Sequence, residues 1–122
     1  MKLVQREAES EVLRRYLRSH RSDVRATSAL SRVEVVRAVQ AGGAVAVAKA
    51  QRQLGRLHQI SLDPSLLDSA ASLAPGALLR SLDAIHLASA QLLGADLRAI
   101  VTYDERMVAA ATGLNLAVVT PV

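Results

Sequence analysis

Apolar positions recur along this chain with two periods, and the alternation between the periods sets out its elements. Over residues 3–19, Val12, Leu13, Tyr16 and Leu17 repeat at helical spacing while Glu7, Glu11 and Arg15 stand four apart on the other side, which predicts an amphipathic helix. Residues 24–27 are short and branched enough for a strand. Thr27 and Ser28 then offer an N-cap to a second helix marked by Leu30, Val33, Val36, Ala38 and Val39, and Gly42-Gly43 ends it. Residues 44–54 are strong helix formers, and 57–62 alternate apolar and polar as a strand does. Asp63-Pro64 is a clean helix start, a capping acid followed by proline at the first helical position, and Pro75-Gly76 breaks that helix. Residues 99–103 form an apolar strand running into Asp104 and a helix over 105–112, which Gly113 stops; 116–120 is the last strand.

The remaining stretch, 79–93, is the one around which the others are organised. Ser81 is its expected N-cap and Gly94 its stop, and Leu82, Ile85, Leu87, Ala88, Ala90, Leu92 and Leu93 leave almost no polar face, so this helix is expected to be buried. Ala84, Ala88, Ser89 and Ala90 are small enough for neighbouring backbones to approach closely. The carboxylate of Asp83, in the first turn, therefore sits where an unpaired charge costs on the order of several kcal/mol unless a cation or hydrogen-bond donors meet it. The helix end is one such partner, contributing roughly 0.3–1 kcal/mol.

Composition narrows the function classes. At 122 residues the chain is expected to be one domain, 1–122, long enough to bury a core without disulfides or a structural metal. It is 51% hydrophobic but aliphatic, with no Phe or Trp and with Tyr16 and Tyr103 as its aromatics, so a base-stacking platform for single strands is not expected. The absence of Cys excludes thiol catalysis, thiolate metal sites and disulfides. With no signal region or long apolar run, a cytoplasmic protein without a membrane partner is the default expectation. The balance of 15 Lys and Arg against 11 Asp and Glu gives +4, which favours a polyanionic partner and equally fits the Arg- and Ala-rich usage of a GC-rich genome. Arg14, Arg15 and Arg18, together with Arg21, Arg25, Arg32 and Arg37, are candidates to hold phosphates or to form a solvated face.

Strand, helix, strand with connections of this length implies parallel crossovers, hence a three-layer α/β domain with a buried parallel sheet. Every strand of such a sheet ends on the same edge, where the residues after strands and the helix N-termini gather. Asp104 follows a strand, Glu34 lies in the first two turns of the helix after 24–27, and Asp83 lies in the first turn of the central helix. Three carboxylates meeting there repel one another unless cations neutralise them. An all-oxygen set without His or Cys suits a hard ion, Mg²⁺ or Mn²⁺, which polarises a phosphoryl group and activates water. Each acid also has a local role open to it: Asp104 as an N-cap, Glu34 in a capping-box spacing with Ser31, and Asp83 at its own helix end. His86, one turn from Asp83, reads as a core histidine rather than a ligand.

The strings Ser28-Ala29-Leu30-Ser31-Arg32-Val33-Glu34-Val35, Leu79-Arg80-Ser81-Leu82-Asp83-Ala84-Ile85-His86-Leu87-Ala88 and Val101-Thr102-Tyr103-Asp104 resemble the second, third and fourth acidic motifs of PIN domains, specifically toxins of the VapC type from toxin-antitoxin pairs. The resemblance runs over essentially the whole chain, and Leu-Asp-Ala-Ile-His-Leu-Ala is its most specific part. It implies a three-layer α/β/α PIN-like fold with a parallel sheet and an endoribonuclease dependent on Mg²⁺ or Mn²⁺. In that reading Glu34, Asp83 and Asp104 are the catalytic residues and coordinate the metal, directly or through water, and metal-activated water attacks an RNA phosphodiester. Thr102 is a supporting hydroxyl behind the site. The implied partners are the RNA substrate and a VapB-type antitoxin laid into grooves between helices.

PIN toxins of this type open with an apolar strand ending in Asp-Ser/Thr-Ser-Ala, which supplies the first acidic ligand from the middle of the sheet. Residues 1–7 correspond to the segment just after it, so that central strand and its acid are expected to be missing, with the true start codon upstream. The 122-residue chain is accordingly expected to show little nuclease activity. The competing expectation is a catalytically inactive PIN-like remnant that binds an antitoxin or self-associates as a homodimer through the helices around Leu13, Tyr16, Val36 and Val39.

Overall fold

The computed structural model describes residues 8–73 and 79–122, which divide into two compact units, Met1–Ile60 with Pro121–Val122 and Ser61–Thr120. Residues 1–7 and the predicted break at Pro75-Gly76 lie outside the described residues. The first unit begins with helix α1 (Ala8–Ser19), which buries Leu13. Its end is closed by side chains: Ser19 Oγ donates to the Tyr16 carbonyl at 2.8 Å, and the His20 ring lies against that of Tyr16 with centroids 4.4 Å apart.

Strand β1 (Ala26–Ser28) is joined to strand β2 (His58–Ile60) by helices α2 (Ser31–Val39) and α3 (Gly43–Leu54). The long crossover makes β1 and β2 parallel, with Ala26 opposite His58 and Ser28 opposite Ile60. Val35 and Val39 of α2 pack on Ala50 and Leu54 of α3, with Val36, Ala46, Val47 and Leu57 around them. The corner between the two helices rests on glycine. Gly43 has φ +84°, ψ −172°, which a side chain would strain, and a Cβ on Gly42 would meet that of Ala46 at 2.9 Å. The expected cap of α2 is not formed in the predicted way. Ser28 is a buried residue of β1, and the N-cap position falls on Leu30, already helical at φ −57°, ψ −29°. Thr27 instead bonds its hydroxyl to that of Ser31.

The second unit holds helix α4 (Pro64–Ala71), helix α5 (Ser81–Leu92), strand β3 (Ile100–Val101), helix α6 (Glu105–Gly113) and strand β4 (Val118–Val119). The Asp63-Pro64 signal works as read from the sequence: Asp63 Oδ1 accepts from the Leu66 amide at 2.8 Å, and Pro64 is the first helical residue. In α5, Leu87 is fully buried against Met107 and Ala111 of α6. Burial follows one stripe, Asp83, Ala84, Leu87 and Ala88, with Ser89 beside it. The helix is thus less enclosed than its composition suggests, with Leu82 46% and Leu92 64% exposed. Gly94, at φ +52°, stops it as expected. Gly113 does not stop α6, which includes it; the left-handed residue there is Asn115, at φ +60°.

The second pair, β3 and β4, is also parallel, with Ile100 opposite Val118. Helix-rich with parallel pairing, the fold is the α/β class expected of the sequence. Among the described residues the strands form two separate two-stranded pairs, shorter and less buried than predicted, with Val101 37% exposed. No helix among the described residues is long and apolar enough to cross a membrane.

Candidate functional site

The second unit brings two of the three predicted carboxylates to one guanidinium. Arg80 occupies the N-cap position of α5 in an extended conformation, φ −75°, ψ 156°, where Ser81 was the expected cap. Three residues on, Asp83 lies on the same side of the first turn, and Arg80 Nε donates to its Oδ2 at 3.2 Å. The Asp83 side chain is 10% exposed and that of Arg80 is 65% exposed, so the acid is buried and its counter-ion remains at the surface. The same guanidinium reaches Asp104, with Nη2 4.0 Å from Oδ2.

Asp104 is held from three directions. It follows β3 and is the N-cap of α6, its Oδ1 accepting from the Arg106 amide at 2.9 Å. Its backbone N–H donates to Thr102 Oγ1 at 3.1 Å, and the Thr102 carbonyl accepts from Thr120 Oγ1 at 2.9 Å. Thr102 thus ties the residue before α6 to the end of β4. The local cap reading and the site reading of Asp104 are compatible, because the cap uses one carboxylate oxygen and the other faces Arg80.

Two carboxylates and one guanidinium leave an excess negative charge at this point, which attracts a further cation. Both acids offer oxygen alone, the donor set that suits a hard divalent ion better than a soft one. Glu34 belongs to the other unit, in the first turn of α2, where it is half-buried and engaged in contacts of its own. Among the described residues no group of three or more His, Asp or Glu side chains is gathered to hold a metal. His86 is half-buried in α5, in keeping with the core role read from the sequence. Arg80 is the residue that sequence reasoning passed over. Its signal was available, a cation three positions before an acid at a helix start, but which way an N-cap side chain turns depends on a backbone angle the sequence does not show.

Comparison with known proteins gives the family of the chain. The PIN domain model matches residues 1–113. Ribonuclease VapC46 of Mycobacterium tuberculosis is 48% identical over 121 residues, covering 99% of this chain and 91% of its own length. Ribonucleases VapC35 and VapC47 of the same species are 44% and 36% identical, each covered over 90% of its length. No solved structure matches the chain. The chain therefore belongs to the PIN-domain family, within which it is similar to the VapC ribonucleases.

Proposed function

We propose that this protein is a Mg²⁺- or Mn²⁺-dependent endoribonuclease, the toxin of a type II toxin-antitoxin pair. The observation that carries the reading is the convergence of Asp83 and Asp104 on Arg80 in a chain similar to VapC ribonucleases over nearly its whole length. Asp83 and Asp104 would hold the metal, with Glu34 as the third acid. When bound, the ion supplies Lewis-acid stabilisation of the phosphoryl group and an activated water. The chain's own contribution is positioning. Asp83 is buried and bonded to Arg80, and Thr102 and the Arg106 amide hold Asp104, which limits the reorganisation left for the reaction. Arg80 neutralises part of the charge of the two acids, and its exposed guanidinium would be available to a phosphate. A VapB-type antitoxin is the proposed partner and the cytoplasm the proposed location.

The test is RNA cleavage by the purified chain in Mn²⁺ and in EDTA, alongside Asp83→Asn and Asp104→Asn. Weak Mn²⁺-dependent cleavage, absent in EDTA and in both variants, is expected. Cleavage that survives in Asp83→Asn would place the chemistry elsewhere. Copurification with a small partner and no cleavage would favour the inactive, antitoxin-binding reading.

A further inference from the structure

At the other end of β1 from Glu34 the first unit carries a basic cleft of about 450 Å³, lined by Arg21, Asp23, Val24, Arg25, Arg56 and His58 among others. The cleft follows from the parallel pairing. Because β1 and β2 run the same way, the turn leading into each opens on the same edge, and His58 N–H donates to the Arg25 carbonyl at 2.8 Å where the two chains come together. Each turn is rich in arginine: Arg21 and Arg25 before β1, Arg56 before β2. All three are exposed, as is His58, against the single acid Asp23. Arg25 is anchored, its Nη2 donating to the Leu17 carbonyl at 3.3 Å, so the cleft does not rely on three freely rotating side chains.

We propose that this cleft binds the phosphodiester backbone of RNA, as a site separate from the Asp83–Asp104 pair. Guanidinium forks match phosphate oxygens two at a time, and the excess of three arginines over one acid matches a polyanion. An acidic protein segment would also be attracted here, but the lining offers that partner little to bury, with Val24 and Leu57 its only aliphatic side chains. The cleft contains no Phe, Tyr or Trp, and its one ring is the imidazole of His58, so contact is chiefly with phosphates rather than with stacked bases, and binding there is largely independent of sequence and steeply dependent on salt. The choice of RNA rests on the proposed function; the binding itself needs neither the acidic pair nor a metal.

The test is binding of a 2′-O-methyl RNA oligonucleotide to the full chain in EDTA, by fluorescence anisotropy across a salt series. In Arg21→Gln/Arg56→Gln, which leaves the anchored Arg25 in place, the slope of log affinity against log salt is expected to fall by about 1.4, two phosphate contacts at about 0.7 each. Adding Arg25→Gln should take the fall to about 2. A control that removes as much charge elsewhere, Arg15→Gln/Arg18→Gln/Arg37→Gln, should change the slope by less than half as much. Equal effects from cleft and control variants would overturn the proposal, since only net charge would then matter. So would an unchanged slope in both, or loss of an acidic peptide's binding on cleft substitution with RNA binding intact. Binding is read in EDTA with a strand that cannot be cleaved, so a failed cleavage assay and a failed cleft are read separately.

Discussion

Arg80 serves two carboxylates at once, and its substitution separates structure from chemistry. Arg80→Gln should destabilise the metal-free chain by no more than about 1 kcal/mol, because a side chain so exposed is well screened by solvent. Thermal unfolding in EDTA measures this, and the difference from wild type should shrink in saturating Mn²⁺, when another cation meets Asp83. Asp83→Asn should cost RNA cleavage at least about 100-fold while moving stability by less than about 1 kcal/mol. A collapse of stability instead would mean that the acid is there for the fold. At this scale the need of Asp83 for a partner was legible from the apolar stripe around it. The identity of that partner was not, because helical spacing puts Arg80 near Asp83 without saying that residue 80 is extended and folds its side chain back.

Among the elements, Pro64, Gly43 and Gly94 act as their covalent chemistry directs, Gly113 is instead taken into α6, and the serine caps, which depend on competition between neighbours, were lost. Proline at Pro64 and the acid before it fix the start of α4, and Asp63→Ala should lower stability by about 1 kcal/mol, a few degrees in Tm. The left-handed Gly43 fixes the corner between α2 and α3, and Gly43→Ala should cost about 1 kcal/mol or more by the same measurement. By contrast Ser28 and Ser81 were both plausible caps, and both lost the position to the residue that the tertiary path placed there. The strands shrank for a related reason. After Val101 the Thr102 hydroxyl takes the Asp104 amide and turns the chain toward α6, an option that the apolar run 99–103 does not reveal. Leu87 is the element-scale test of the core: Leu87→Ala should cost about 2–5 kcal/mol, since it leaves a cavity between α5 and α6.

For the whole molecule, the three acidic strings, the Leu-Asp-Ala-Ile-His-Leu-Ala helix above all, made the family legible, and the match over residues 1–113 bears it out. The functional claim reduces to shared use of one cation by acids far apart in the chain, Asp83 and Asp104 within the second unit and Glu34 as the proposed third. Titration of Mn²⁺ into the metal-free chain, followed by calorimetry, tests that most directly when run on wild type, Glu34→Gln, Asp83→Asn and Asp104→Asn. The expected result is one site in the wild type, weakened at least about tenfold in each variant, as loss of a ligand demands. Wild-type affinity in Asp83→Asn or Asp104→Asn would show that the two carboxylates meet Arg80 and nothing more.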